Sequence, residues 1–193
     1  DLASRSAQSV YLVRNPFDVY VSLYYHCLFR NDKFNSVLVD HCSRVMGDDF
    51  MPDNFGQSFY NFLSILYDHG FGYLSTWERH VSDVDFSRVR VVRYEDLWDN
   101  NEYVVRSLLA ALNISCDSDA LKLHSDLSRS SILSSRRQFD KSESASSGKV
   151  SFSRRGGYGS WRTTLEDRHF ALIYAKVRHQ LSRFGYQDMI QER

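Results

Sequence analysis

The stretch "SVYLVRNPFDVYVSLYYH", residues 9–26, decides how the chain is read. Ser9–Val13 is a five-residue run rich in β-formers and closed by Asn15-Pro16, the pattern of a short buried strand. Pro16 suits the first position of a helix, where its missing N–H costs nothing. Val19, Leu23 and Cys27 recur at i+4 and mark an apolar stripe on a helix reaching about residue 28. Arg14 thus stands one residue past the strand, and Ser22 follows in the second turn of the helix. In α/β folds, ligands sit beyond the carboxyl ends of parallel strands, so an arginine there invites an anion. A guanidinium is a planar fork of donors matched to phosphate oxygens, and a serine hydroxyl adds one more. The plain alternative is that Arg14 caps carbonyls or pairs with Asp18, and that Ser22 is merely small.

A second run, "VRVVRYEDL", reads as a strand at Val89–Arg93 leading into a polar turn, and Tyr94 takes the place that Arg14 takes after the first. Two strand ends offering Arg and Tyr suit a phosphate and an aromatic base. Helices are expected at Gln57–Leu66 and at Tyr73–Val84, where Leu74, Trp77, Val81 and Val84 keep helical spacing. Val104, Val105, Leu108, Leu109 and Leu112 mark an amphipathic helix ending near Asn113. In the last helix Phe170, Ile173, Tyr174, Val177, Leu181 and Phe184 share a face, Thr163 or Thr164 caps the start and Gly185 ends it. Trp77 and His80 read as packing residues. Residues 30–57 are loop-rich, and the Ser-rich segment 125–153 reads as a surface loop that orders on a ligand. The expectation is one α/β domain, with a parallel sheet flanked by helices.

Composition narrows the function. The 193 residues carry 24 Lys+Arg and 24 Asp+Glu, so no global field favours nucleic acid or a membrane, and any anion site is local. Zero net charge and the absence of an aromatic ladder argue against RNA binding by the segment "SRSSILSSRR". No apolar run reaches the length of a membrane span. The start, "DLASRSAQ", has neither a signal-peptide profile nor an initiator Met, and the expectation is that it lies within a longer protein. Three cysteines form no CxxC pair, which fits a reduced compartment, and the seven histidines show no metal spacing. No metal is expected.

A third stretch adds the missing cations. "FSRRGGYGSW", Phe152–Trp161, sets Arg154 and Arg155 before Gly156, Gly157 and Gly159, so that side chains and backbone N–H groups can converge on one anion. Residues 136–162 hold seven basic side chains against two acidic ones.

Together the three stretches resemble the sulfotransferase family that uses 3′-phosphoadenosine 5′-phosphosulfate. "VRNPFDVYVSLYYH" is similar to the family's 3′-phosphate signature through Arg14, Asn15, Pro16, Asp18 and Ser22. "STWERHVSDV" and "VRVVRYEDL" resemble its Trp-x-x-His-Val helix and Tyr-Glu-Asp strand end. "FSRRGGYGSWR" resembles its Arg-Lys-Gly-x-x-Gly-x-Trp loop, and "LSRFGY" also has the family's character.

The resemblance implies a P-loop-nucleotide-kinase-like sulfotransferase fold and transfer of a sulfuryl group to a hydroxyl or amine of a small-molecule or carbohydrate acceptor. It implies that Arg14 and Ser22 bind the 3′-phosphate with Arg154, Arg155 and the Gly156 amide. Tyr94 would meet the adenine, and the segments around Ser128 and Phe152 would cover the nucleotide. Arg155 stands where the family usually has Lys, exchanging a point charge for a fork. The aromatic that the family places near position 130 is replaced here by "LSRSSIL". The family's phosphosulfate loop and general-base His lie upstream of the first strand, so the chain reads as the carboxyl-terminal part of one such domain, amino-terminally truncated. "SSGKVSF" at 146–152 is no substitute, since no Ser or Thr follows Lys149. A catalytically inactive nucleotide-binding module of the same fold is the alternative. The loop type and the unpaired cysteines imply a cytoplasmic protein; the sequon Asn113-Ile114-Ser115 leaves the Golgi lumen as the other option. The family's Lys-Thr-Val-Glu dimer motif is not evident after Trp161, and the oligomeric state is left open.

Overall fold

The computed structural model describes residues 9–27, 44, 46–47, 54–68, 75–119, 121–123, 125–127 and 157–191. The fold is mixed α/β, and the chain divides into two compact units interleaved along the sequence. The first unit comprises residues 1–14, 85–147 and 155–157; the second comprises 15–84, 148–154 and 158–193.

In the first unit, β1 (Ser9–Val13) and β2 (Val89–Arg93) pair in parallel, with Val13 opposite Arg93. Both strands have the bounds expected from β-branched runs with polar punctuation. Their burial does not match expectation: Val13 and Val92 are buried, but Val10, Leu12 and Val91 are 45%, 52% and 36% exposed. A two-stranded ribbon covers few side chains, and among the described residues only Val13 and Val92 of the strands are enclosed. Tyr11 meets the ring of Phe86 edge-on at 5.6 Å. The expected polar turn after β2 is instead a helix, α4 (Tyr94–Asp99), stabilised at its start by two charge-assisted bonds from Arg93 Nε and Nη2 to Asp96, at 2.9 and 2.6 Å. It is followed by α5 (Asn101–Ala111), which shows the expected period but buries no residue.

The second unit is helical. Its first helix, α1 (Pro16–Cys27), starts where Pro16 predicts, and Asn15 Oδ1 caps it by accepting from the Phe17 N–H at 2.9 Å. The buried face is not the Val19–Leu23 stripe but an aromatic one: Phe17, Tyr20, Val21 and Tyr24 are all enclosed. Large rings bury more area per residue than valine or leucine and so decide which face turns inward. Phe17 stacks on Trp161 at 4.9 Å and on Phe170 at 4.8 Å. Tyr24 meets Phe59 and Phe62 edge-on and donates to Ser58 Oγ at 2.7 Å.

Those partners lie on α2 (Phe55–Asp68), one turn longer overall than expected. The expected helix over 73–84 is described as α3 (Trp77–Ser82), begun by a Thr76 cap that accepts from the Arg79 N–H. Trp77 is buried against Phe184 as a packing residue, whereas His80, expected to pack as well, is exposed.

The carboxyl-terminal part has α6 (Trp161–Thr164), α7 (Asp167–Leu181), a 3-10 turn (Ser182–Phe184) and α8 (Gln187–Gln191). The cap of α7 is Glu166, not a threonine: Thr163 and Thr164 hydroxyls donate back to the Ser160 carbonyl within α6. His169 Nδ1 accepts from the Glu166 N–H at 3.1 Å while its Nε2 lies 2.7 Å from the Gly56 carbonyl. A carbonyl only accepts, so this geometry assigns a neutral ring with its proton on Nε2. Ile173, Val177 and Leu181 carry the buried face; Tyr174 is exposed. Gly185, at φ +68°, supplies the left-handed residue that ends the 3-10 turn.

Candidate functional site

The in-register pairing of β1 with β2 carries the chain past both carboxyl ends at one level, so Arg14 and Tyr94 emerge side by side. The Arg14 guanidinium carbon lies 4.7 Å from the centroid of the Tyr94 ring, within cation–π range. Arg14 Nη2 also donates to the Gly157 carbonyl at 3.0 Å. Carbonyl capping, the plain alternative for this arginine, therefore does occur, and it brings the glycine segment to the strand ends.

Glycine suits position 157 because its φ of +81° is a conformation that side chains rarely adopt; a Cβ there would only come into contact with the Trp98 ring, at 3.4 Å. Trp98 in turn lies beside Tyr94, with ring centroids 6.2 Å apart. The first unit thus gathers one guanidinium, two aromatic faces and a glycine backbone beyond a pair of parallel strands. Glu95, between the two aromatics in sequence, is buried.

In the second unit, Ser22 is exposed on α1. Asp18 is buried, and its carboxylate accepts from the Gly159 N–H at 2.6 Å, the Ser160 hydroxyl at 3.1 Å and the Trp161 N–H at 3.3 Å. Ser128, Phe152, Arg154, Arg155 and Gly156 lie outside the described residues.

Sequence reasoning paired Arg14 with Tyr94 correctly as neighbours, because both follow a strand directly. It missed Trp98, and it named Gly157 only as part of the glycine loop, not as the carbonyl that Arg14 caps. The signal for Trp98 was available: four residues after Tyr94, it shares a helix face once the segment is taken as helix instead of turn. Among the described residues no three metal-ligating side chains come together, and no helix is long and apolar enough to cross a membrane.

Residues 1–185 match the family model described as a sulfotransferase domain. No curated protein matches the chain.

Proposed function

Because the chain belongs to the sulfotransferase family, whose members transfer sulfuryl groups, we propose that its strand ends bind the nucleotide of 3′-phosphoadenosine 5′-phosphosulfate, with a hydroxyl or amine of a small molecule or carbohydrate as the acceptor. The observation that carries this reading is the Arg14–Tyr94 contact at 4.7 Å beyond the parallel strands. One cation and one aromatic face, side by side, match a phosphate attached to a nucleoside. A guanidinium has five N–H donors, so the bond to Gly157 and an anion can be served together.

In this reading Arg14, Ser22, Arg154, Arg155 and the Gly156 amide hold the 3′-phosphate. Tyr94 takes the adenine, and the segments around Ser128 and Phe152 cover the nucleotide. These residues form an anchor: binding energy gained far from the reacting bond holds the donor in line for attack. Proton removal from the acceptor and stabilisation of the leaving phosphate oxygen fall to other groups of the domain. We place those groups upstream of β1 and read the 193 residues as the carboxyl-terminal part of a single sulfotransferase domain. The exposed Val10, Leu12 and Val91 support this, because parallel sheets are ordinarily covered on both faces. The absence of a CxxC pair in the sequence and the Arg-Gly-x-x-Gly-x-Trp type of loop favour the cytoplasm.

Calorimetric titration tests the site. Adenosine 3′,5′-bisphosphate is expected to bind more tightly than 5′-AMP, which lacks only the 3′-phosphate; equal affinities would remove the anchor reading. Turnover with labelled donor separates an enzyme from an inactive nucleotide-binding module of the same fold.

A further inference from the structure

The indole of Trp98, half-buried on α4, borders both groups that hold the Arg14 guanidinium. The first is Tyr94, whose ring centroid lies 4.7 Å from the guanidinium carbon and 6.2 Å from the centroid of Trp98, the two ring planes tilted by 31°. The second is Gly157, whose carbonyl accepts from Arg14 Nη2 at 3.0 Å. The indole stands in the direction a Cβ of Gly157 would take, with its Cζ2, Cε2 and Nε1 at 3.4, 3.6 and 3.9 Å from that position. Arg14, Tyr94, Trp98 and Gly157 thus close a ring of neighbours, and all four belong to the first unit.

Local chemistry puts Trp98 in that ring. Tyr94 and Trp98 are four residues apart, so a helix sets them on one face. Tyr94 follows β2 directly, and the paired bonds from Arg93 to Asp96 fix where the helix begins. An indole is long and flat enough to lie beside Tyr94 and border the glycine as well. It has only two side-chain torsions to freeze, so it can brace its neighbours at little entropic cost.

We propose that Trp98 is a positioning residue for Arg14: it backs the Tyr94 ring, bounds Gly157 and thereby keeps the guanidinium ordered for a phosphate. Without the indole both restraints loosen together, and Arg14 has to give up rotamer freedom when the anion binds. The inference rests on the nucleotide reading above, of which it uses Arg14 and Tyr94 alone, and it adds a residue that acts on the phosphate only through Arg14.

Titration of the 193-residue chain with adenosine 3′,5′-bisphosphate and with 5′-AMP is the first test, read as the ratio of the two affinities. Partial unfolding or a lost base contact weakens both ligands alike and cancels in that ratio. Trp98→Ala is expected to lower the preference for the bisphosphate by about tenfold, the worth of ordering one arginine side chain in advance. In an Arg14→Ala background the same substitution is expected to leave the ratio unchanged, because the residue it acts through is gone. An unchanged ratio in Trp98→Ala alone, or an equal further drop once Arg14 is removed, overturns the positioning role. Should Trp98→Ala fail to fold, Trp98→Phe carries the test, since it keeps a ring beside Tyr94: a drop of about threefold is expected, and no drop overturns the role.

The order of Arg14 without nucleotide is the second test, measured by 15N relaxation at its Nε–H. Trp98→Ala is expected to make that group more mobile on the ps–ns timescale, and unchanged relaxation overturns the proposal. The two tests separate the inference from its premise. If the unmutated protein binds both nucleotides equally, the nucleotide reading falls, and the effect of Trp98 on affinity falls with it. The relaxation of Arg14 still decides whether Trp98 braces the guanidinium.

Discussion

Arg14 is held from two sides, by the Gly157 carbonyl and by the face of Tyr94, so its guanidinium is oriented before an anion arrives. Orientation matters because an arginine that must give up rotamer freedom on binding loses part of each bond's worth. Each charge-assisted contact to phosphate contributes on the order of 1.5–3 kcal/mol. Arg14→Ala is therefore expected to weaken adenosine 3′,5′-bisphosphate by roughly 10- to 150-fold and to leave 5′-AMP nearly unchanged in the same titration. Equal losses for both nucleotides would make Arg14 a structural residue. Tyr94→Ala should show the opposite pattern, weakening both ligands alike, since both carry adenine. Gly157 gives a stability prediction at the same spot. Gly157→Ala puts a side chain into a left-handed conformation against the Trp98 ring, and a loss of about 1–2 kcal/mol in denaturant unfolding is expected. No loss would mean that the turn relaxes and that the left-handed conformation is not demanded there.

Element by element, the aromatic face of α1 has a consequence for pH. Tyr20 is fully enclosed; its hydroxyl donates to Glu78 at 2.7 Å and accepts from the Trp77 N–H at 3.0 Å. Burial, reinforced by Tyr67 and Glu78 nearby, pushes its phenol far above the ordinary value. Burial likewise raises Tyr67 and Tyr24, against a lowering bond to Tyr20 in the one case and to Ser58 in the other. A raised phenol is protonated in both folded and unfolded chains below pH 10, so its contribution is intact there. Above pH 10 the unfolded chain releases the proton and the folded one keeps it until its own raised pKa is reached, so stability falls by at most about 1.4 kcal/mol per pH unit for each such tyrosine. Steep loss of the folded state above pH 10 is expected in thermal melts, and Tyr20→Phe is expected to make that loss shallower while costing about 1–3 kcal/mol at neutral pH. A flat profile to pH 11.5 would contradict it. These elements also show what was legible in the sequence. The bounds of both strands, the start of α1 at Pro16 and the Gly185 stop followed from local chemistry, which needs no knowledge of neighbours. The inward face of α1, the helix that begins at Tyr94 and the Glu166 cap did not, because each is settled by a partner distant in sequence or by ring area outweighing aliphatic spacing. The same divide runs through the site: Arg14 and Tyr94 could be read from strand ends, whereas the Gly157 carbonyl, 143 residues away, could not.

At the scale of the whole molecule, one family match spans residues 1–185 while the chain forms two compact units, and among the described residues the first of these contains a two-stranded sheet. If the proposed anchor is one part of a larger domain, residues 1–193 alone are expected to give no sulfuryl transfer from labelled donor to phenol, steroid or sugar acceptors. Activity is expected once the sequence upstream of Asp1 is restored, and turnover by the 193 residues alone would sink that reading. The sheet offers a test that needs no acceptor. Leu12 is 52% exposed on β1, so in the 193-residue chain Leu12→Asp removes little buried surface and is expected to change stability by no more than about 0.5 kcal/mol. In the longer protein, further strands or helices packed on the sheet would enclose position 12, and the same aspartate would be an unpaired charge in an apolar layer, costing more than about 2 kcal/mol. Urea unfolding of the two proteins with and without Leu12→Asp measures the difference directly. A small effect in both would show that the exposed face of β1 is a true surface and would count against the reading of the 193 residues as part of a larger domain.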